Sequence, residues 1–176
     1  LLSLLGELHF RRDAQAREGL LSVLSTRLCP DEQPKLWGEL LLNLASDKRL
    51  NKAEDAETAL ERAALHYRDK GDDVGLLLVQ LERSAACKKH KEAVSLADAA
   101  LRKLRSMGAK KEAADALLQL GSLEWDGQRL RAAKHFFSEA LAAYRELGDK
   151  RGVAKNLNNL AILAEKSGQT DRALDQ

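Results

Sequence analysis

The chain has 176 residues, of which 29 are Lys or Arg and 27 are Asp or Glu, so its formal net charge is +2. This balance argues against a dedicated nucleic-acid-binding protein, whose affinity depends on an excess of basic residues. Its two cysteines, Cys29 and Cys87, are isolated thiols, which do not make a disulfide framework or a zinc site and favour a reducing compartment. No apolar run approaches the ~18 residues of a membrane-spanning helix. We therefore expect a cytoplasmic protein with no membrane contact.

An alanine recurs along the whole chain at spacings of 40, 37, 40 and 40 residues. A glycine follows three of these alanines, each time at the same distance, and an Asp follows two of those glycines. Such regular recurrence predicts a repeat of two helices, in which the second helix carries the alanine and ends at the glycine. The anchor alanines are Ala16, Ala56, Ala93, Ala133 and Ala173, and the glycines are Gly71, Gly108 and Gly148.

In chain order, the repeats are expected at residues 1–30, 35–71, 73–108, 110–148 and 150–176, as one domain. Leucines at helical spacing predict the first helix of each unit, as in Leu117, Leu120 and Leu123. Short polar turns between the two helices are expected at "CKKHK" (87–91), "WDGQR" (125–129) and "KSGQT" (166–170). Since a stack of repeats needs polar caps and neither end supplies one, the chain is interpreted as a fragment of a longer protein.

Small and aromatic residues recur in phase with these helices. Gly121, Ala133 and Ala140 are expected where two helix backbones approach closely, while Phe137 and Tyr144 fill the wider gaps.

These residues resemble the tetratricopeptide repeat, whose signature runs W-x2-L-G-x2-Y and then A-x3-F. The best match lies at residues 117–141, with Leu117, Leu120, Gly121, Ala133 and Phe137 at the family spacing. The resemblance implies an all-α fold, a right-handed superhelical solenoid of antiparallel helix pairs with about four full units plus partial ends. The long period is similar to that of bacterial regulators of the maltose-activator type, quorum-peptide receptors and Pins-type polarity adaptors.

The sequence carries no recognisable catalytic or metal-binding pattern. The four histidines do not cluster with Cys or carboxylates at metal-ligand spacing, and the glycines mark helix ends instead of forming a phosphate-binding loop. We therefore expect no enzyme activity, no cofactor and no metal. The histidines are His9, His66, His90 and His135.

The resemblance also implies where a ligand would bind, because the first helices build the concave wall of such a solenoid. Both Asn158 and Asn159 carry amides that can bridge to the backbone of an extended peptide. Trp125 is either an anchor for a partner or a wedge in the core, and both interpretations stay open. The repeat register places on this wall Glu82, Asp115, Gln119, Ser122, Trp125, Asp126, Lys155, Asn158, Asn159, Ile162, Glu165 and Lys166, and Leu78 and Leu118 are expected to add apolar pockets.

Three functional hypotheses follow from the sequence. The first is a scaffold that binds a peptide or protein segment in the concave groove. The second is a ligand- or peptide-sensing region of a larger bacterial signalling or transcription-regulator protein. The third is self-association through uncapped, Leu-rich end helices. A carboxylate clamp of Lys, Asn and Arg, as in chaperone-binding relatives, is missing, which argues against a C-terminal Asp as the ligand.

Overall fold

The computed structural model describes residues 34–46 and 53–174. These residues form seven α-helices and no strand, so the all-α prediction is confirmed for this part of the chain. The predicted first unit, with Ala16, His9 and Cys29, lies outside the described residues. The helices are α1 (Pro34–Ser46), α2 (Ala53–Asp69), α3 (Asp73–Ala86), α4 (His90–Ser106), α5 (Lys110–Asp126), α6 (Leu130–Glu146) and α7 (Lys150–Leu174).

The chain divides into two compact units, Leu1–Val79 and Gln80–Gln176, and the boundary between them lies inside α3. In the first unit α1 packs against α2 around a core that includes Leu41, Leu60 and Tyr67. Trp37, near the start of α1, is partly buried against this core. Its apolar ring therefore contributes to the packing of the first unit.

The second unit contains α4, α5, α6 and α7, and each of these helices packs against the next one in the chain. Three-residue turns join them, which makes consecutive helices antiparallel. The anchor alanines Ala93 and Ala133, together with Ala140, have no exposed surface. Methyl-sized side chains at these points let neighbouring helices approach closely while still burying apolar surface.

Glycines make room for buried aromatic rings. A Cβ built on Gly121 would overlap the ring of Phe137, and one built on Gly152 would overlap the ring of Tyr144. Both rings are almost fully buried. The ring of Phe137, which was expected to fill a wider gap between the helices, thus lies directly against Gly121. The close approach of the two helix backbones at Gly121 stays a prediction.

The turns between repeats have the geometry that the recurring glycines predict. Gly71, Gly108 and Gly148 adopt φ angles of +64°, +71° and +68°, the left-handed conformation that ends a helix without a Cβ clash. Asp149 then caps α7, because its Oδ1 accepts hydrogen bonds from the backbone N–H groups of Arg151 (3.0 Å) and Gly152 (2.9 Å). The stretch at 147–152 is thus the joint between two repeats.

The turn predicted at "KSGQT" (166–170) is wrong, because α7 runs without a break through these residues to Leu174. None of the five is Pro, so all of them are compatible with helical backbone angles. At the corresponding turn after α5, the ring of His90 lies against Gly127. A Cβ at Gly168 would meet no heavy atom within 4 Å, so no neighbouring side chain holds a turn there.

Candidate functional site

A cavity of about 210 Å³ lies between α5 and α7 in the second unit. Ser122, Trp125 and Asp126 occupy one face of α5, because residues three and four positions apart are neighbours on a helix surface. Asn159 and Ile162 bear the same relation on α7. The cavity is lined by Ser122, Trp125, Asp126, Phe137, Asn159 and Ile162.

The apolar part of the cavity comes from three elements. Phe137 of α6 is only 3% exposed, and its ring lies against Gly121 of α5. Ile162 of α7 keeps 46% of its surface exposed. The glycine and the buried ring therefore give the cavity a rigid wall, while Ile162 offers apolar surface to a ligand.

Polar groups around the cavity retain hydrogen-bonding capacity. The hydroxyl of Ser122 donates to the carbonyl oxygen of Leu118 (3.1 Å), which leaves its oxygen lone pairs as acceptors. Within the described part of the chain, neither the Asn159 amide nor the Asp126 carboxylate forms a hydrogen bond or an ion pair. An amide with both donor and acceptor and an unpaired carboxylate thus face a half-open apolar cavity.

Trp125 lies at the centre of this arrangement, half-buried in the last turn of α5. The ammonium of Lys166 stands 4.6 Å from the centroid of the Trp125 ring, at cation–π distance. Lys166 reaches this position on α7 because the helix continues through the predicted turn. Trp125 therefore combines a helix-packing contact with an accessible surface in the cavity.

The structure brings some of the predicted wall residues together and leaves others apart. Ser122, Trp125, Asn159 and Ile162 share the cavity with Asp126, and Lys166 contacts Trp125. Asn158 is exposed and does not line the cavity, so the two adjacent asparagines point to different surroundings. The remaining predicted residues also lie away from the cavity lining: Glu82 on α3, Asp115 and Gln119 on α5, and Lys155 on α7.

Asp115 has a packing role that the sequence did not reveal. Its carboxylate accepts a hydrogen bond from the hydroxyl of Tyr144, which lies on α6. Burial raises the pKa of Asp115 even though this hydrogen bond and Lys111 favour the ionised form. The pKa of Tyr144 is raised mainly by burial. The hydrogen bond to Asp115 and the charge of its carboxylate raise it further. The pair joins the first and second helices of one repeat.

A polar cluster surrounds the buried carboxylate of Glu124 at the turn between α5 and α6, and the sequence did not reveal it either. Glu124 is 5% exposed, and its Oε2 lies 3.5 Å from Nε2 of His90 and 3.6 Å from Nη1 of Arg129. The His90 ring also occupies the space beside Gly127. No local pattern signalled this cluster, because its members come from the start of α4 and the two ends of the turn.

The described residues contain no group of three or more His, Cys, Asp or Glu side chains arranged to hold a metal ion. None of their helices combines the length and the apolar character needed to cross a membrane.

Antiparallel helices joined by three-residue turns, with small residues in phase at the close contacts, define an α-helical repeat protein. A family model described as tetratricopeptide repeat matches residues 112–176. This segment is similar to tetratricopeptide repeats, and it includes every residue that lines the cavity. Such repeats generally mediate protein–protein interaction. Comparisons with curated proteins and with solved structures gave no match.

Proposed function

We propose that the chain is an interaction scaffold that binds an extended segment of a partner protein between α5 and α7. The observation that carries the proposal is the cavity itself. It joins Trp125, Ser122 and Asn159 with Ile162, although these residues come from two different repeats.

The chemistry of the lining suits a peptide backbone with one inserted side chain. The Asn159 amide has a donor and an acceptor, so it can pair with both a carbonyl and an N–H of an extended strand. Trp125 supplies a large, partly buried surface of the type that dominates binding energy at interfaces. Because packing against Gly121 already fixes Phe137, little conformational entropy is lost at this wall on binding.

The size of the cavity favours a peptide side chain over a whole small molecule. Its volume of about 210 Å³ is below the range of ~300–1,000 Å³ that is usual for small-molecule sites. A peptide-sensing region of a larger signalling protein would use the same groove, and the domains that flank the chain in the full-length protein would distinguish it from a scaffold.

The two adjacent asparagines allow a closely matched experiment. Peptides selected from a phage-displayed random library on the wild-type chain are measured against Asn159→Ala and Asn158→Ala. We expect Asn159→Ala to weaken binding about tenfold or more, because two backbone hydrogen bonds contribute ~1 kcal/mol each. Asn158→Ala should leave the affinity unchanged, and both variants should keep wild-type helicity by circular dichroism. Equal affinities for the two folded variants would contradict the proposed site.

A further inference from the structure

We infer that the side chain received by this cavity is a basic one, an arginine in preference to a lysine. The inference rests on the proposed peptide-binding function and adds the chemical class of the bound residue. It follows from the charge, the aromatic ring and the shape of the lining.

The charge of the lining is negative. Among the described residues that line the cavity, Asp126 alone is ionisable, and its carboxylate has no partner in the described chain. Asp126 is also the last residue of α5, where the carbonyl groups of the final turn form the negative end of the helix dipole. Both features attract a cation and repel a carboxylate.

The aromatic wall favours the same ligand. The Trp125 ring already holds one ammonium, that of Lys166, which shows that its surroundings accept a cation near the ring. Beside it, Phe137 and Ile162 offer apolar surface for the methylene groups of a long basic side chain. Arginine is preferred because its planar guanidinium can pair with the Asp126 carboxylate through two parallel hydrogen bonds.

An acidic side chain fits this lining poorly. It would bring a second carboxylate beside Asp126. A neutral apolar side chain would fill the space but would leave Asp126 without a partner.

The test uses peptides selected from a phage-displayed random library on the whole chain, in parallel with a selection on Asp126→Lys. We expect the wild type to enrich peptides with one Arg or Lys, and Asp126→Lys to enrich peptides with an acidic residue instead. Asp126→Asn should weaken an Arg-containing peptide about five-fold, the upper value for a solvent-accessible ion pair. Glu146→Gln, an equal charge change at an exposed position outside this cavity, should leave its affinity unchanged.

The outcomes separate this inference from the proposed function. Selected peptides that lose affinity with Asn159→Ala but contain no enriched basic residue would overturn the inference and leave the proposed function standing. An Arg-containing peptide that binds wild type and Asp126→Asn equally would do the same. If no selected peptide depended on Asn159, both would be overturned.

Discussion

Replacing Gly121 and Gly168 by alanine, one at a time, separates helix propensity from packing. Both glycines lie inside helices, where Ala is favoured over Gly by ~0.8–1.0 kcal/mol. At Gly121, however, the new Cβ would lie 2.5 Å from Cε1 of Phe137, whereas carbon atoms pack best at ~3.5–4.0 Å. Phe137 is only 3% exposed, so its ring has little room to move.

The two substitutions should therefore have opposite effects. Overpacking of this kind costs ~1–3 kcal/mol, and after the gain in propensity we expect Gly121→Ala to lower the free energy of unfolding by up to ~2 kcal/mol. Gly168→Ala meets no heavy atom within 4 Å and should raise the free energy of unfolding by up to ~1 kcal/mol. If residues 166–170 formed a turn, Gly168→Ala would instead lower the free energy of unfolding.

The assay is urea unfolding followed by far-ultraviolet circular dichroism and by tryptophan fluorescence. The chain has two tryptophans, one in each unit, so a Trp37→Phe background leaves Trp125 to report on the second unit alone. If the Gly121→Ala variant were as stable as the Gly168→Ala variant, the inferred close contact between Gly121 and Phe137 would be refuted. Destabilisation by Gly168→Ala would refute the continuous α7 helix.

Two predictions concern pH. Burial raises the pKa of both tyrosines of the chain, Tyr67 and Tyr144, above the ordinary value of 10.0, so their contribution to stability is present below pH 10 and is lost as pH rises further. Tyrosinate absorbance should therefore appear together with the loss of helicity, and a tyrosine that ionised near pH 10 in the folded chain would contradict this. Burial also raises the pKa of Asp115 above 3.8, so the folded state holds this proton more tightly and stability falls as pH rises through that range. Asp115→Asn should remove this fall, whereas parallel pH–stability profiles for wild type and variant would exclude it.

Several features of the fold were predictable because their causes are local and periodic. Leucine spacing predicts the helices, Gly148 predicts the left-handed helix end, and Asp149 predicts the cap on the next helix. A close contact at Gly121 was predictable from its phase relative to the alanines, but its partner, the ring of Phe137, was not. The helical conformation of residues 166–170 was not predictable, because polar residues that favour a turn also suit a helix when no neighbouring side chain holds the turn.

The candidate site was predictable only to the level of a helix face. Successive residues of a helix point about 100° apart, so the repeat register alone could not separate Asn159, which lines the cavity, from its neighbour Asn158.

The sequence alone was enough to predict the helices between residues 53 and 165 and the left-handed glycines that end three of them, since each depends on residues within one or two helical turns. Only the packed structure showed which residues line the cavity. It also showed the hydrogen bond between Tyr144 and Asp115 and the cluster around Glu124. These contacts join helices through residues that are 29 or more positions apart, as in Asp115 and Tyr144, or that face each other only after a turn has closed. Their geometry depends on how neighbouring helices pack, which no local pattern of residues encodes.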